Sequence, residues 1–433
     1  QGMMFHDGNA VFAEGESREV VADDVVYSFT RSLETEGSSA ATSDLLAVFE
    51  SVEAIDDYTV QLNLSAPNGL LFEGARGISS IVVYPREAIE QLGEDFATNP
   101  VGTGPFEFVE YVPDDRVVLQ RNEDYYIRPL LDEVVFQIIP DNTARVIALE
   151  TGDLDIAETI PDPDIPRLQD DPNYIVEDLR CPVSQQFTFN LAVEEFQDIR
   201  LRQAIAFAFD GNAIGRVTRP GAHIDACGTA GPGVPGYNEG LCDLFEYNPD
   251  QTAELLGELG YEDTDGNGIF DLDGEDLNIP IMVWNLPEMP RVAEAMVSQL
   301  NDSGIGTSLE VVEFGTWIDN FFAAEPYLFG WTGFCGAGGT TDFWGPNSNF
   351  AGSMSIEIPE GQEFLSQSSQ FIDPEERGAL VLEGAEIIYA EYVSLPAGFF
   401  DAYFAYNTRV QDMPLLGWWF NLVTERSNTW VQQ

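Results

Sequence analysis

Asp263, Asp265, Asn267 and Asp271 stand at positions 1, 3, 5 and 9 of the segment DTDGNGIFD, with Gly268 at position 6. Oxygen donors at that spacing suit a calcium loop. Position 12 is Gly274 rather than a bidentate Glu, with Asp273 and Glu275 flanking it. A glycine-rich DxDxNG turn also stands without metal, so Ca²⁺ and a plain turn are both open, and either is structural. Cys227 and Cys242 flank the Gly/Pro-rich loop GTAGPGVPGYNEGL. A disulfide closing that loop is expected in an oxidising compartment; two buried thiols are the alternative. Cys181 and Cys335 are the leftover pair. Without CxxC spacing, and with only His6 and His223, an ordinary zinc site is not expected. Trp331 and Trp344 bracket a loop as aromatic walls suited to apolar side chains, sugar faces or cations, or else as core packing. Gln185, Gln186 and Asn190 lie on one strand-like segment, and alternation leaves open which of them face a cleft.

Enzyme chemistry finds little footing. The chain has no GxSxG elbow, no HExxH and no GxxxxGK[ST] loop. Neither histidine accompanies a nucleophile motif. A pair of carboxylates for glycoside hydrolysis exists in any chain this acidic, and the motif order gives it no support.

The acidity is extreme. Asp and Glu number 75 against 18 basic residues, all arginine, for a net charge of −57 over 433 residues. Such self-repulsion opposes compaction in dilute buffer, whereas at molar salt the Debye length falls to about 3 Å. Adaptation to high salt is the expected reading. The alternative, a disordered acidic chain, sits badly with 44% hydrophobic residues and 29 Phe. Nucleic acid and anionic membranes are not expected as partners, because phosphate contacts need a basic patch. No apolar run approaches the roughly 20 residues of a membrane span. No signal peptide is visible at Gln1–Gly8.

The supporting elements alternate between helix and strand, so the fold class is mixed α/β, and the length calls for two or three domains. Helices are expected over Asp23–Glu34, Asn142–Thr151, Asp198–Arg216 (broken near Asp210-Gly211) and Glu375–Tyr392. Val52–Leu64 and Phe106–Gln120 read as strand pairs around Asp-rich turns. Val134–Ile139 reads as a short buried strand and Ser184–Asn190 as an alternating one. Ile279–Trp284, Arg291–Leu300 and Ser308–Glu313 form a strand–helix–strand unit.

Several segments in order resemble a known family. They are FHDG (5–8) with VADDVVYSFTR (21–31), NPVGTGPFEFVEY (99–111) with LQRNEDYY (119–126), and LDEVVFQIIPDNTARVIALETGDLDIA (131–157). FNLAVEEFQDIRLRQAIAFAFD (189–210), AELLGELGYEDTDGNG (253–268) and GWTGF (330–334) complete the series. The chain is similar over essentially its whole length to the extracellular solute-binding proteins of the dipeptide, oligopeptide and nickel class, family 5 of the ABC-importer binding proteins. The resemblance implies a bilobed clamshell of the class II type with an extra accessory domain. Residues 1–99 would form the accessory domain, 100–205 the first lobe and 206–400 the second, with 401–433 returning to the first. The family carries several dozen residues before FHDG, so an N-terminal segment is expected to be missing here, and with it any signal or lipid anchor.

The implied function is extracytoplasmic capture of a small, peptide-like ligand between two lobes for delivery to an ABC transporter permease, by a monomer in the periplasm or at the cell surface. No cofactor is required, structural Ca²⁺ aside, and no nucleic acid partner is expected. In peptide-binding relatives a carboxylate after the GWTG-like turn pairs with the peptide amine. Phe334 stands there, and Asp342 is the candidate substitute. Trp331, Phe334, Asp342, Trp344, Gln186 and Asn190 are the implied ligand set. A surface structural or assembly protein reusing the fold is the alternative, and a hydrolase a more distant one.

Overall fold

The computed structural model describes residues 1–35, 48–71, 78, 81–178, 183–234, 236–286, 288–333, 339–346, 348–400, 403–413 and 429–432. Its largest sheet has six strands. Their spatial order is Gly306–Val312, Asn278–Trp284, Leu328–Thr332, Val183–Phe189, Ser394–Phe400 and His223–Ile224. Asn278–Trp284 runs parallel to both its neighbours. It reaches Gly306–Val312 through helix Met289–Asp302, the crossover a parallel pair demands. Val183–Phe189 then runs antiparallel to Leu328–Thr332 on one side and to Ser394–Phe400 on the other.

Helix Met289–Asp302 buries Val292, Met296 and Leu300, spaced four apart on one stripe. Pro290 sits in its first turn, where its missing N–H costs nothing. The stripe packs with Phe187, Phe189, Ile281, Val283, Leu328 and Leu395 on one face of the sheet. The other face presents Met282, Phe329 and Trp331 to Trp317, Phe321, Trp344 and Tyr389. The strand period of two deals neighbouring residues to opposite cores, as Met282 between Ile281 and Val283 illustrates.

All seven residues of Val183–Phe189 are buried, including Ser184, Gln185, Gln186 and Thr188. The polar–aromatic alternation therefore does not mark a wet and a dry face. The strand lies inside the sheet with a core on each side. Glu133–Gln137 departs from expectation in the opposite sense. It is an edge strand of the antiparallel sheet Phe106–Val112, Arg116–Arg121, Glu133–Gln137. Of its apolar residues only Val134 is buried, while Val135 is exposed.

A smaller sheet sets Tyr403–Asn407 between Ile156–Ala157 and Tyr174–Asp178. Its core joins Ala405 to Val146, Leu149, Ile160, Ile165 and Leu168. Helix Asn142–Thr151 begins where Asp141 accepts a hydrogen bond from the Ala144 amide, and ends at Gly152 with φ +83°. The chain passes between the small and large sheets twice, between Asp178 and Val183 and between Phe400 and Tyr403. Nearer the start, helix Ala22–Glu34 covers the hairpin of Phe49–Asp56 and Thr59–Leu64, with Phe29 edge-on to Phe49.

Candidate ligand-binding site

Strand Leu328–Thr332 delivers Gly330-Trp331-Thr332-Gly333 to the end of the large sheet. Its register sets Trp331 opposite Gln186 and Thr332 opposite Gln185. Residues paired across strands project from the same face, so Trp331, Gln186 and Thr188 share one side. Gln185 points to the other side, where its amide meets Met289 Sδ.

The shared side carries a directed chain of hydrogen bonds. Trp331 Nε1 donates to Thr188 Oγ1 at 2.7 Å, and Thr188 Oγ1 lies 2.8 Å from Ser394 Oγ. Ser394 and Tyr389 hydroxyls both donate to Gln186 Oε1, at 2.8 and 2.9 Å. Gln186 Nε2 donates in turn to the Gly228 carbonyl. Burial pushes the Tyr389 phenol well above its ordinary value, against its hydrogen bonds, so it remains a donor. The network fixes the Gln186 amide and links the central strand to the Cys227–Cys242 loop.

Both tryptophans are sealed, Trp331 at 1% exposure and Trp344 at 0%. Trp331 meets Phe343 at 4.4 Å and Phe350 at 4.7 Å between ring centroids. Trp344 lies edge-on to Tyr389 at 6.1 Å. The structure thus brings Trp331, Trp344 and Gln186 together, as members of the core beneath the loop. Asn190 is elsewhere occupied. Its Nδ2 donates to the carbonyls of Ala324 and Glu325 at 2.6 and 3.0 Å, and its Oδ1 accepts from the Ala192 amide. Asp342 is half-buried on the short helix Gly339–Trp344. Phe334, Cys181 and Cys335 lie outside the described residues.

The two glycines of the turn have separate reasons. A Cβ on Gly330 would fall 2.7 Å from both Phe187 and Val283. A Cβ on Gly333 would fall 2.2 Å from Ser184 Oγ, and the Gly333 amide donates to the Ser184 carbonyl at 2.7 Å. Ser184 therefore sits against the turn. Its hydroxyl is buried and has no partner among the described residues, and the same holds for Thr341 Oγ1 on helix Gly339–Trp344. Neighbouring Thr340 does have one, Thr229 at 2.8 Å. Buried hydroxyls left without acceptors or donors are costly, so a ligand polar group is a natural complement to them. Sequence reasoning missed both. A serine beside a Gln-Gln pair and a Thr-Thr pair after two glycines carry no spacing signal.

Cys227 and Cys242 are joined by a disulfide, with Cα atoms 5.2 Å apart. The bridge holds Gly228, whose φ of +99° aims its carbonyl at Gln186. The candidate calcium loop turns inward on itself. Asp263 accepts from the amides of Gly266 and Gly268 at 2.8 and 3.1 Å, and Asp265 from Asn267 at 2.9 Å. Asp271 accepts from the amide and hydroxyl of Thr264, both at 2.7 Å. The four residues form a network of Asx turns. Among the described residues, no group of three His, Cys, Asp or Glu is placed to hold a metal ion.

The comparisons with known proteins agree on one family. The profile of the bacterial extracellular solute-binding proteins, family 5 Middle, matches residues 1–349. Heme-binding protein A of Haemophilus influenzae is 26% identical over 403 residues, taking in 88% of this chain and 72% of that protein. Oligopeptide-binding protein AppA of Bacillus subtilis is 29% identical over 349 residues, 77% of this chain and 61% of that protein. The ABC transporter-associated periplasmic binding protein DppA from Helicobacter pylori, solved in complex with peptide STSA, superposes with a TM-score of 0.84 at 21% identity. That superposition covers 100% of this chain and 85% of DppA. The bilobed fold of those binding proteins is the fold found here. The chain belongs to the bacterial extracellular solute-binding proteins of family 5.

Proposed function

We propose that the protein captures a short peptide between two lobes outside the cytoplasm and presents it to the permease of an ABC importer. The carrying observation is two buried hydroxyls without partners among the described residues: Ser184 Oγ, which sits against the Gly330–Gly333 turn, and Thr341 Oγ1 on helix Gly339–Trp344. Peptide amides supply both donors and acceptors to such groups. Relatives named for oligopeptide binding, and one solved with a bound peptide, favour this ligand class. This reading assigns residues 183–205, whose strand Val183–Phe189 lies in the large sheet, to the second lobe rather than the first. Closure then follows from tighter binding to the closed state than to the open one. The role is one of binding and not of catalysis, and the net charge of −57 is an adaptation to concentrated salt.

Native mass spectrometry of the purified protein tests the reading. A retained mass of a few amino acid residues is expected, lost when Ser184→Ala and Thr341→Val are combined. A retained porphyrin, a product of substrate turnover, or a cleft that takes up no peptide from a defined tripeptide mixture overturns it.

A further inference from the structure

Three arginines among the described residues have under a tenth of their surface exposed: Arg202 at 4%, Arg377 at 1% and Arg219 at 7%. Two of them spend their guanidinium on the chain's own carbonyls. Arg202 donates to the carbonyls of Phe196, Gln197 and Glu391 at 2.7 to 3.1 Å, and Arg377 to those of Phe371 and Ile372. Arg219 differs. Among the described residues its only hydrogen bond runs from Nε to Asp162 Oδ2 at 3.3 Å. Its guanidinium lies over the Phe400 ring at 3.4 Å from the centroid. Both terminal nitrogens are left without an acceptor among the described residues.

The location matters as much as the vacancy. Asp162 follows Ile160, whose amide donates to Tyr403 in the small sheet. Arg219 follows helix Gly211–Thr218, which packs on the large-sheet strand Ser394–Phe400. Phe400 is the last residue of that strand before the chain crosses. Arg219 therefore stands at the junction of the two sheets, the place where a two-lobed binder holds its ligand.

We propose that Arg219 is an anion anchor that takes a carboxylate of the ligand on its two terminal nitrogens. The planar fork matches a carboxylate bidentately. Asp162 and the Phe400 face hold the fork from behind, so little side-chain freedom remains to be lost on binding. Glu288 and Arg291 are the other charged groups that act on Arg219, and they already form an ion pair with each other at 2.8 Å. With no lysine in the chain, arginine is its one permanently cationic side chain. The inference rests on the peptide reading only for the identity of the ligand: the anchored group would be a peptide's terminal carboxylate.

Calorimetry at fixed molar ionic strength tests it on the whole chain, with trialanine, trialanine amide and succinate as probes. The native protein is expected to bind trialanine about tenfold or more tightly than its amide, the worth of a charged hydrogen-bonded pair. Arg219→Gln should abolish that preference, and Asp162→Asn should keep it or strengthen it by removing a competing carboxylate. Circular dichroism checks that both variants fold, and Arg219→Met serves if Arg219→Gln does not. Equal affinity for acid and amide, or a preference that survives in Arg219→Gln, overturns the anchor. If neither tripeptide binds, succinate decides. Binding to the native protein and not to Arg219→Gln upholds the anchor while the peptide reading fails, and equal or absent succinate binding in both sinks the anchor as well.

Discussion

Trp331 gives its indole N–H to the hydroxyl of Thr188 at 2.7 Å, so an aromatic side chain of strand Leu328–Thr332 is tied to the neighbouring strand Val183–Phe189. Thr188→Val keeps the shape and removes the acceptor. The variant should lose about 1–3 kcal/mol, because the buried indole N–H is left unpaired and Ser394 loses its neighbour. Urea unfolding monitored by tryptophan fluorescence reads this directly. An unchanged midpoint would mean that the network contributes nothing to stability.

The disulfide closes a loop of 15 residues in sequence separation. By the loop-entropy relation its loss should cost about 3 kcal/mol. It should also weaken ligand binding, since the Gly228 carbonyl that holds Gln186 would no longer be fixed. Thermal unfolding and ligand titration with Cys227→Ser/Cys242→Ser give the two numbers. Loss of stability with undiminished affinity would separate the loop from the site.

Both histidines are held below their ordinary value of 6.5 by burial, His6 against its bond to the Gly104 carbonyl and His223 against the charge of Asp225. A folded value below the unfolded one means that the unfolded chain binds more protons between the two. Stability therefore falls as the pH drops from about 6.5 towards the lowered values, and recovers as it rises. Combining His6→Gln with His223→Gln should flatten this stretch of the stability profile and leave the carboxylate-driven loss at lower pH. A native profile already flat between pH 5 and 6.5 would contradict it.

Potassium chloride should raise the unfolding temperature steeply between about 0.1 and 1 M, as the screening length falls from about 10 Å to about 3 Å. Sucrose at matched osmolality should do much less, because it leaves the charges unscreened. Equal stabilisation by both would refute charge repulsion as the cause.

Local structure was largely legible in the sequence. The helix Asn142–Thr151 carries its own start at Asp141 and its stop at Gly152, and Asp210 starts a second helix where the expected break fell. The hairpin turns at Asp57 and Asp114 were legible for the same reason, since turn chemistry is local. Burial was harder to read. Val135 and Ser184 are misleading by type because their exposure depends on the strand's rank in its sheet, edge or interior. The site was the least legible part. Ser184, Thr341 and Arg219 become notable only through what fails to reach them, and absence of a partner is a property of three dimensions.

Thr188 and Ser394 touch across 206 residues of sequence. The strand at the heart of the large sheet therefore waits for its second neighbour until some 200 further residues have been synthesised, and loop-closure entropy gives no early reward for partial assembly.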